Sequence, residues 1–105
     1  MTQKEIDLGC DHFLTFSCWK PDRALNPRYD HLPDVEKYGA LVRHKTPNGK
    51  ECNGYIHFDG PVQRELGPHG PFWVVECWDP LTLSPSLLCE CGDHGFIRNG
   101  HWEKA

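Results

Sequence analysis

Apolar and polar residues alternate in short runs along this chain, and the alternation predicts β-strands. Residues 12–19 show the pattern most clearly. Within them, Leu14, Phe16 and Cys18 fall on one face and the residues between them fall on the other. Successive side chains of a strand point to opposite faces of a sheet. We therefore predict a strand over residues 12–19 that is buried mainly on one side.

Two Asn-Gly pairs, Asn48-Gly49 and Asn99-Gly100, predict tight hairpin turns. Both residue types tolerate the positive φ that a two-residue hairpin turn requires. Strands are predicted on both sides of each turn, at residues 38–44 and 52–58 for the first and at residues 95–98 and 101–103 for the second. The chain is therefore expected to form antiparallel hairpins.

Residues 72–78 have the highest β-propensity of any stretch in the chain, because they are dense in aromatic and β-branched residues. Asp79-Pro80 follows directly and ends the run, since proline cannot donate a hydrogen bond within a sheet. We predict that residues 72–78 form a central strand.

Residues 20–37 contain three prolines and no periodic pattern, which predicts a long connection. A short helix is predicted inside it, beginning at Pro33 and running through residue 37. Apolar and aromatic side chains indicate that the connection packs on the body of the protein. These side chains are Trp19, Leu25, Tyr29 and Leu32. A second turn-rich stretch, residues 67–71, separates the middle strands.

The composition limits the size of the core. The chain has 105 residues, of which 38% are hydrophobic, and nine prolines and ten glycines interrupt it repeatedly. We expect a single domain over residues 1–105 with short strands and a thin margin of stability. A structural zinc ion can contribute on the order of 10 kcal/mol of apparent binding energy to such a fold.

The charge distribution disfavours nucleic acid as a partner. The formal net charge is −4, the pI is near 5.9, and the basic residues are scattered among acidic ones. No segment approaches the ~20 apolar residues of a membrane span, and the first residues lack an apolar signal region. We therefore expect a cytoplasmic protein with no membrane contact. In a reducing compartment, its six cysteines favour metal ligation over disulfides.

Cysteines and histidines cluster near both ends of the chain. One residue separates Cys10 from His12, and two residues separate Cys91 from His94. Structural zinc sites are commonly built from two such short pairs on separate segments, so these four residues predict a Cys2His2 site for Zn²⁺. Cys89 is a fifth candidate that could replace His12 and give a Cys3His set. The metal would join the N-terminal strand region to the C-terminal hairpin.

The other cysteines and histidines have simpler explanations. Cys18 and Cys77 lie in predicted strands among aromatic residues, where core packing explains them. Cys52 has no neighbouring ligand in the sequence and is interpreted as an incidental thiol. Isolated histidines are more often surface or hydrogen-bonded residues than ligands. This interpretation covers His31, His44, His57 and His69.

A catalytic zinc site keeps one position open for water and needs a neighbouring acid or base. Glu90 and Asp93 lie next to the C-terminal ligands, and both are better explained as solvated turn residues. Four or five protein donors are available, which favours a closed structural site. The main enzyme templates, such as Ser-His-Asp or His-Glu-x-x-His, do not occur. An enzyme is therefore the less favoured interpretation.

Residues 84–102 also resemble a known family. They contain Pro-Ser followed by aliphatic residues, then Cys91-x-x-His94, and then an aromatic residue, an isoleucine, Asn99-Gly100 and Trp102. This run is similar to DUF6527, a family of small bacterial and phage proteins of unknown function, and the chain looks most like members carried by phages of actinobacteria. The resemblance implies a small β architecture with a metal site, in which Cys91 and His94 form the second ligand pair.

Together these features predict a mainly β protein, namely a small antiparallel β domain with hairpins, long loops and one structural zinc site. We hypothesise a phage-type accessory protein that binds a host or phage protein. The binding surface is expected on residues 20–37 and on exposed aromatic residues such as Trp19, Tyr29 and Trp73. Two alternatives stay open, a zinc-dependent hydrolase with an open metal position and a nucleic-acid-binding zinc domain. The sequence does not specify the oligomeric state.

Overall fold

A computed structural model describes residues 5–46, 48–67 and 71–105, and it confirms the mainly antiparallel β fold. The strands are β1 (Ile6–Gly9), β2 (His12–Trp19), β3 (Val35–Lys45), β4 (Glu51–His57), β5 (Val74–Trp78), β6 (Leu81–Ser84), β7 (Leu87–Leu88), β8 (His94–Arg98) and β9 (His101–Lys104). The helical segments are a 3-10 turn, Pro27–Tyr29, and a short helix α1, Pro61–Leu66. Within the described residues, neither helical segment is long enough to cross a membrane.

The largest sheet has four antiparallel strands in the order β1-β2-β3-β4. β2 has the bounds predicted from its alternation, and Leu14 on its inner face is fully buried. A three-stranded sheet, β7-β8-β9, and the β5-β6 ribbon complete the described fold. The inner face of the large sheet and these smaller sheets enclose one apolar core. Its buried members are Leu8, Leu14, Ala40, Val42, Ile56, Phe58, Leu81, Leu83, Leu87, Ile97 and Trp102.

Both predicted hairpins are confirmed. Asn48-Gly49 lies between β3 and β4, where the Thr46 N–H donates to the Lys50 carbonyl at 2.8 Å and Gly49 has a φ of +81°. Asn99-Gly100 joins β8 to β9, with φ values of +52° and +74°. Residue 47 of the first turn lies outside the described residues. Residues 68–70 of the predicted 67–71 turn, His69 among them, also lie outside.

The prediction of a central strand at residues 72–78 is wrong. β5 pairs with β6 in a two-stranded sheet, and Trp78 is 45% exposed. The aromatic and β-branched residues do give a strand, as their propensity predicts. Propensity does not say how many neighbours a strand has, because that depends on which other segments pack beside it.

Cys18 and Cys77 are exposed, so their prediction as core residues is wrong. The β2–β3 register shifts between Ser17 and Trp19, and the β5–β6 register shifts between Val75 and Cys77. A bulge of this kind adds a residue to one strand and breaks the strict alternation of side chains. Both cysteines lie at such a break in the strand pairing.

The connection after β2 is partly as expected. Tyr29 meets Trp19, the last residue of β2, edge to face at 5.4 Å between ring centroids, so the connection contacts the body there as predicted, but Leu25 is 78% exposed. The helix predicted over residues 33–37 is wrong, because Val35 begins β3 and pairs with Trp19. The sequence interpretation missed α1, although Pro61 at its first turn and Gly67 in a left-handed conformation after its last turn mark its ends.

Candidate metal centre

One end of the large sheet carries a row of potential metal ligands on its inner face. His12 on β2 and His44 on β3 are buried, with 6% and 3% exposure, and their rings stack at 5.0 Å. His44 and Cys52 are direct partners across the β3–β4 pair. Opposed residues of an antiparallel pair hold their Cβ atoms about 4.5–5.5 Å apart. Three neighbouring strands therefore present His12, His44 and Cys52 side by side.

The turn between β7 and β8 covers this row. Two backbone hydrogen bonds close the turn: Cys89 N–H donates to the Asp93 carbonyl at 2.8 Å, and Gly92 N–H donates to the Cys89 carbonyl at 2.8 Å. Gly92 has a φ of +95°, a conformation that side-chain-bearing residues rarely adopt. The tight turn brings both Cys89 and Cys91 to the end of the sheet. We call residues 89–93 the ligand loop.

Four donor atoms meet between the sheet and the ligand loop, from His44, Cys52, Cys89 and Cys91. All four lie within 4.8 Å of one another. The Sγ atoms of Cys52 and Cys89 are 3.4 Å apart, and His44 Nε2 lies 3.2 Å from Cys91 Sγ. This group could hold a metal ion, and it is compatible with structural zinc.

The thiols of this group differ in acidity. The hydrogen bond from His44 is the largest cause that lowers the pKa of Cys91, to about 7. The hydrogen bond with Cys89, followed by burial, raises the pKa of Cys52 to about 12. Metal binding requires thiolates, so a bound cation would have to displace the proton of Cys52.

A second group of donors adjoins the first and shares His44. It consists of His12, His44 and Asp93. His12 Nε2 lies 2.5 Å from Asp93 Oδ2, and His12 Nδ1 donates to the Cys10 carbonyl at 2.7 Å. Both ring nitrogens of His12 therefore have partners, and one of these partners belongs to the ligand loop. Asp93 is not a solvated turn residue, as the sequence suggested, but a link between the loop and β2.

The ring of Trp102 on β9 extends the histidine stack. It lies parallel to the His12 ring at 4.0 Å between centroids and is buried. The indole passes directly over Gly95, where an added Cβ would come within 2.5 Å of it. His44 Nδ1 is buried and has no hydrogen-bond partner among the described residues. The His44 ring is therefore oriented by its stacked contact with His12 and by the contact of its Nε2 with Cys91 Sγ.

The structure brings together only part of the ligand set predicted from sequence. Cys89 and Cys91 belong to the first donor group, and His12 belongs to the second. Among the described residues, Cys10 and His94 belong to neither group. Cys10 is exposed at the β1–β2 turn, and His94 Nε2 lies 2.9 Å from Ser86 Oγ. The C-terminal pair differs because His94 begins β8, where its imidazole contacts Ser86 and is not part of the thiols' donor group.

The sequence interpretation missed His44 and Cys52, which it treated as an isolated histidine and an incidental thiol. A signal for them was present in the predicted hairpin. His44 ends one predicted strand and Cys52 begins the next, so the predicted hairpin brings them close together, and the observed register pairs them directly. Spacing along the chain does not show this pairing, because seven residues separate the two.

The chain has no match among known protein families, curated proteins or solved structures.

Proposed function

We propose that this protein is a small zinc-binding β domain in which His44, Cys52, Cys89 and Cys91 hold a structural Zn²⁺ ion. The meeting of these four donors within 4.8 Å carries the proposal. Tetrahedral zinc with Zn–S bonds of about 2.3 Å needs donors separated by roughly 3.8 Å. The distances of 3.4 Å between two Sγ atoms and 3.2 Å between His44 Nε2 and Cys91 Sγ lie close to that value.

The donor set favours a structural role over a catalytic one. Three thiolates and one imidazole complete a tetrahedral shell, so the ion keeps no position for water. His44 and Cys52 come from the sheet, whereas Cys89 and Cys91 come from the ligand loop. Zinc would therefore join the β3–β4 hairpin to the C-terminal hairpin. In a chain with so modest a core, a contribution on the order of 10 kcal/mol matters for folding.

The metal content of matched variants tests this proposal. Purified protein is expected to contain one zinc ion per chain by elemental mass spectrometry, and Cys52→Ser is expected to lose it. Cys10→Ser is the matched control, because Cys10 is a thiol outside the donor group and should leave the zinc content unchanged. Loss of zinc in Cys10→Ser with retention in Cys52→Ser would instead support the ligand pairs predicted from spacing.

A second pair of variants separates the two histidine assignments. His44→Ala removes an imidazole from the donor group, and we expect it to abolish stoichiometric zinc binding. His94→Ala removes an exposed imidazole that contacts Ser86, so zinc binding should persist. The opposite result would show that His94 is the ligand, as the resemblance to DUF6527 implies.

We further propose that the protein acts by binding another protein, of phage or host origin, in keeping with the resemblance of residues 84–102 to DUF6527. The connection after β2 supports this role. Arg23 donates to Asp34 Oδ1 at 2.6 Å and to the Leu32 carbonyl at 2.6 Å, while Leu25 is 78% exposed. A fixed loop that presents an apolar side chain loses little conformational entropy on binding. Trp73, which the sequence suggested as an exposed part of the binding surface, packs against the core instead.

Leu25→Asp tests the partner-binding role. The variant should keep its zinc content and melting temperature, because Leu25 contributes little to the fold, but it should lose a partner captured by the unmodified protein. Val74→Asp changes another exposed apolar residue, on β5, and serves as the control. Equal capture by Leu25→Asp and the unmodified protein would argue against this loop as the interface.

A further inference from the structure

The three thiols of the metal centre differ in their access to solvent. Cys91 is exposed, whereas Cys52 and Cys89 are half-buried. Cys91 also lines an open cleft of about 760 Å³ between the ligand loop and the β1–β2 turn. Lys45 and Lys104 line the same cleft. A small oxidant can therefore reach Cys91 directly, while the other two thiols lie within 4.8 Å of it.

We propose that Cys91 and Cys52 form a site of reversible oxidation, at which a hydroperoxide converts the two residues to a disulfide and releases the zinc ion. This inference rests on the proposed zinc site and adds a regulation of it. Cys52 is the better partner for Cys91 than Cys89 is, because only one residue separates Cys89 from Cys91 and their disulfide would close a small, strained ring. Cys52 approaches from a different strand.

The chemistry balances with a hydroperoxide as the only co-reactant. The Cys91 thiolate attacks the terminal oxygen of hydrogen peroxide, the O–O bond breaks, and hydroxide leaves, which yields a sulfenic acid on Cys91. The Cys52 thiolate then attacks the Cys91 sulfur, the S–O bond breaks, and a second hydroxide leaves. Two thiolates lose two electrons, and the peroxide gains them. The two hydroxides take up two protons from the buffer and become water.

Loss of the metal follows from the change in donors. A disulfide sulfur carries no negative charge, so oxidation removes two of the four ligands. Only Cys89 and His44 remain, and two donors do not satisfy the four-coordinate preference of zinc. The ligand loop would then be tethered to β4 by a covalent bond instead of by the ion. Reduction would restore both thiolates and the zinc site.

Peroxide treatment of the zinc-loaded protein tests this inference. Hydrogen peroxide is added, released zinc is followed with a chromophoric indicator, and the oxidised protein is digested without reduction for peptide mass mapping. We expect complete loss of bound zinc together with a peptide that links Cys52 to Cys91. Dithiothreitol and added zinc should restore the original content. Cys10→Ser, which removes another thiol of the same cleft, should respond as the unmodified protein does.

The outcomes separate a failure of the proposed oxidation from a failure of the proposed zinc site. A protein that binds no zinc when purified would contradict the proposed function itself. If the protein binds zinc but retains it in peroxide, only the proposed oxidation is wrong. The proposed oxidation is also wrong if zinc is released together with a Cys89–Cys91 link, a Cys10–Cys91 link, or sulfinic acids in place of a disulfide. These assignments come from unmodified protein, so they do not depend on whether a variant folds.

Discussion

The hydrogen bond between His12 and Asp93 is expected to hold the ligand loop in the geometry that the proposed zinc site requires. Asp93→Ala removes the acceptor that lies 2.5 Å from His12 Nε2, and His12 is only 6% exposed. A buried donor left without a partner costs about 1–3 kcal/mol. In the metal-bound protein the loop is fixed and the full cost applies, whereas in the metal-free protein the loop can open and let water reach His12. Asp93→Ala therefore destabilises the metal-bound protein more than the metal-free protein, and its zinc affinity is lower.

At about 1.4 kcal/mol for each factor of ten, this cost corresponds to a fall in zinc affinity of roughly 5- to 150-fold. Loss of a residue that orients metal ligands through hydrogen bonds typically lowers metal affinity 10–100-fold, which agrees with this range. Competition titration against a chromophoric zinc chelator at fixed pH measures the affinity. Asp93→Asn should lose less zinc affinity than Asp93→Ala, because the amide oxygen of the new side chain still accepts a hydrogen bond from His12.

Glu90→Ala is the matched control, since Glu90 is an exposed carboxylate on the same loop. Its zinc affinity should stay within about twofold of that of the unmodified protein, as is usual for exposed surface substitutions. An Asp93→Ala variant that binds zinc as tightly as Glu90→Ala does would contradict this role of the hydrogen bond. An equal loss of affinity in both variants would also contradict it, because a general effect of loop charge would then explain the change.

Three further predictions follow from the same geometry. Removal of zinc by a chelator should lower the melting temperature and speed amide hydrogen exchange in residues 89–93, as followed by calorimetry and mass spectrometry. In the metal-free protein, alkylation of Cys91 by iodoacetamide should rise with pH through a midpoint near its pKa of about 7, because the thiolate fraction increases there. Cys52, with a pKa of about 12, should stay unreactive over the same range, and peptide mass mapping reports both. Gly95→Ala should destabilise the fold by about 1–3 kcal/mol, because its Cβ would meet the Trp102 ring at 2.5 Å. Gly54→Ala, whose Cβ has no neighbour closer than 4.0 Å, is the control for thermal unfolding.

Local patterns in the sequence predicted much of the architecture. The alternation in residues 12–19 predicted β2 with its observed bounds, and the two Asn-Gly pairs predicted the β3–β4 and β8–β9 hairpins. These features depend on side-chain direction and on the positive φ of a few turn residues, which neighbouring residues determine. The same kind of local reasoning failed at Cys18, because the pairing of β2 with β3 is irregular there and pairing depends on a distant segment.

Short antiparallel strands and a compact pair of cysteines, Cys89 and Cys91, before the last hairpin can be read directly from the sequence. Which residues face that pair depends on the tertiary packing. His44 lies 47 positions from Cys91, and Cys52 lies 37 positions from Cys89. Contacts at such separations depend on how the sheet packs against the C-terminal hairpin around the shared core. Spacing suggested Cys10 and His94 as ligands, whereas packing brought His44 and Cys52 to the two thiols of the ligand loop.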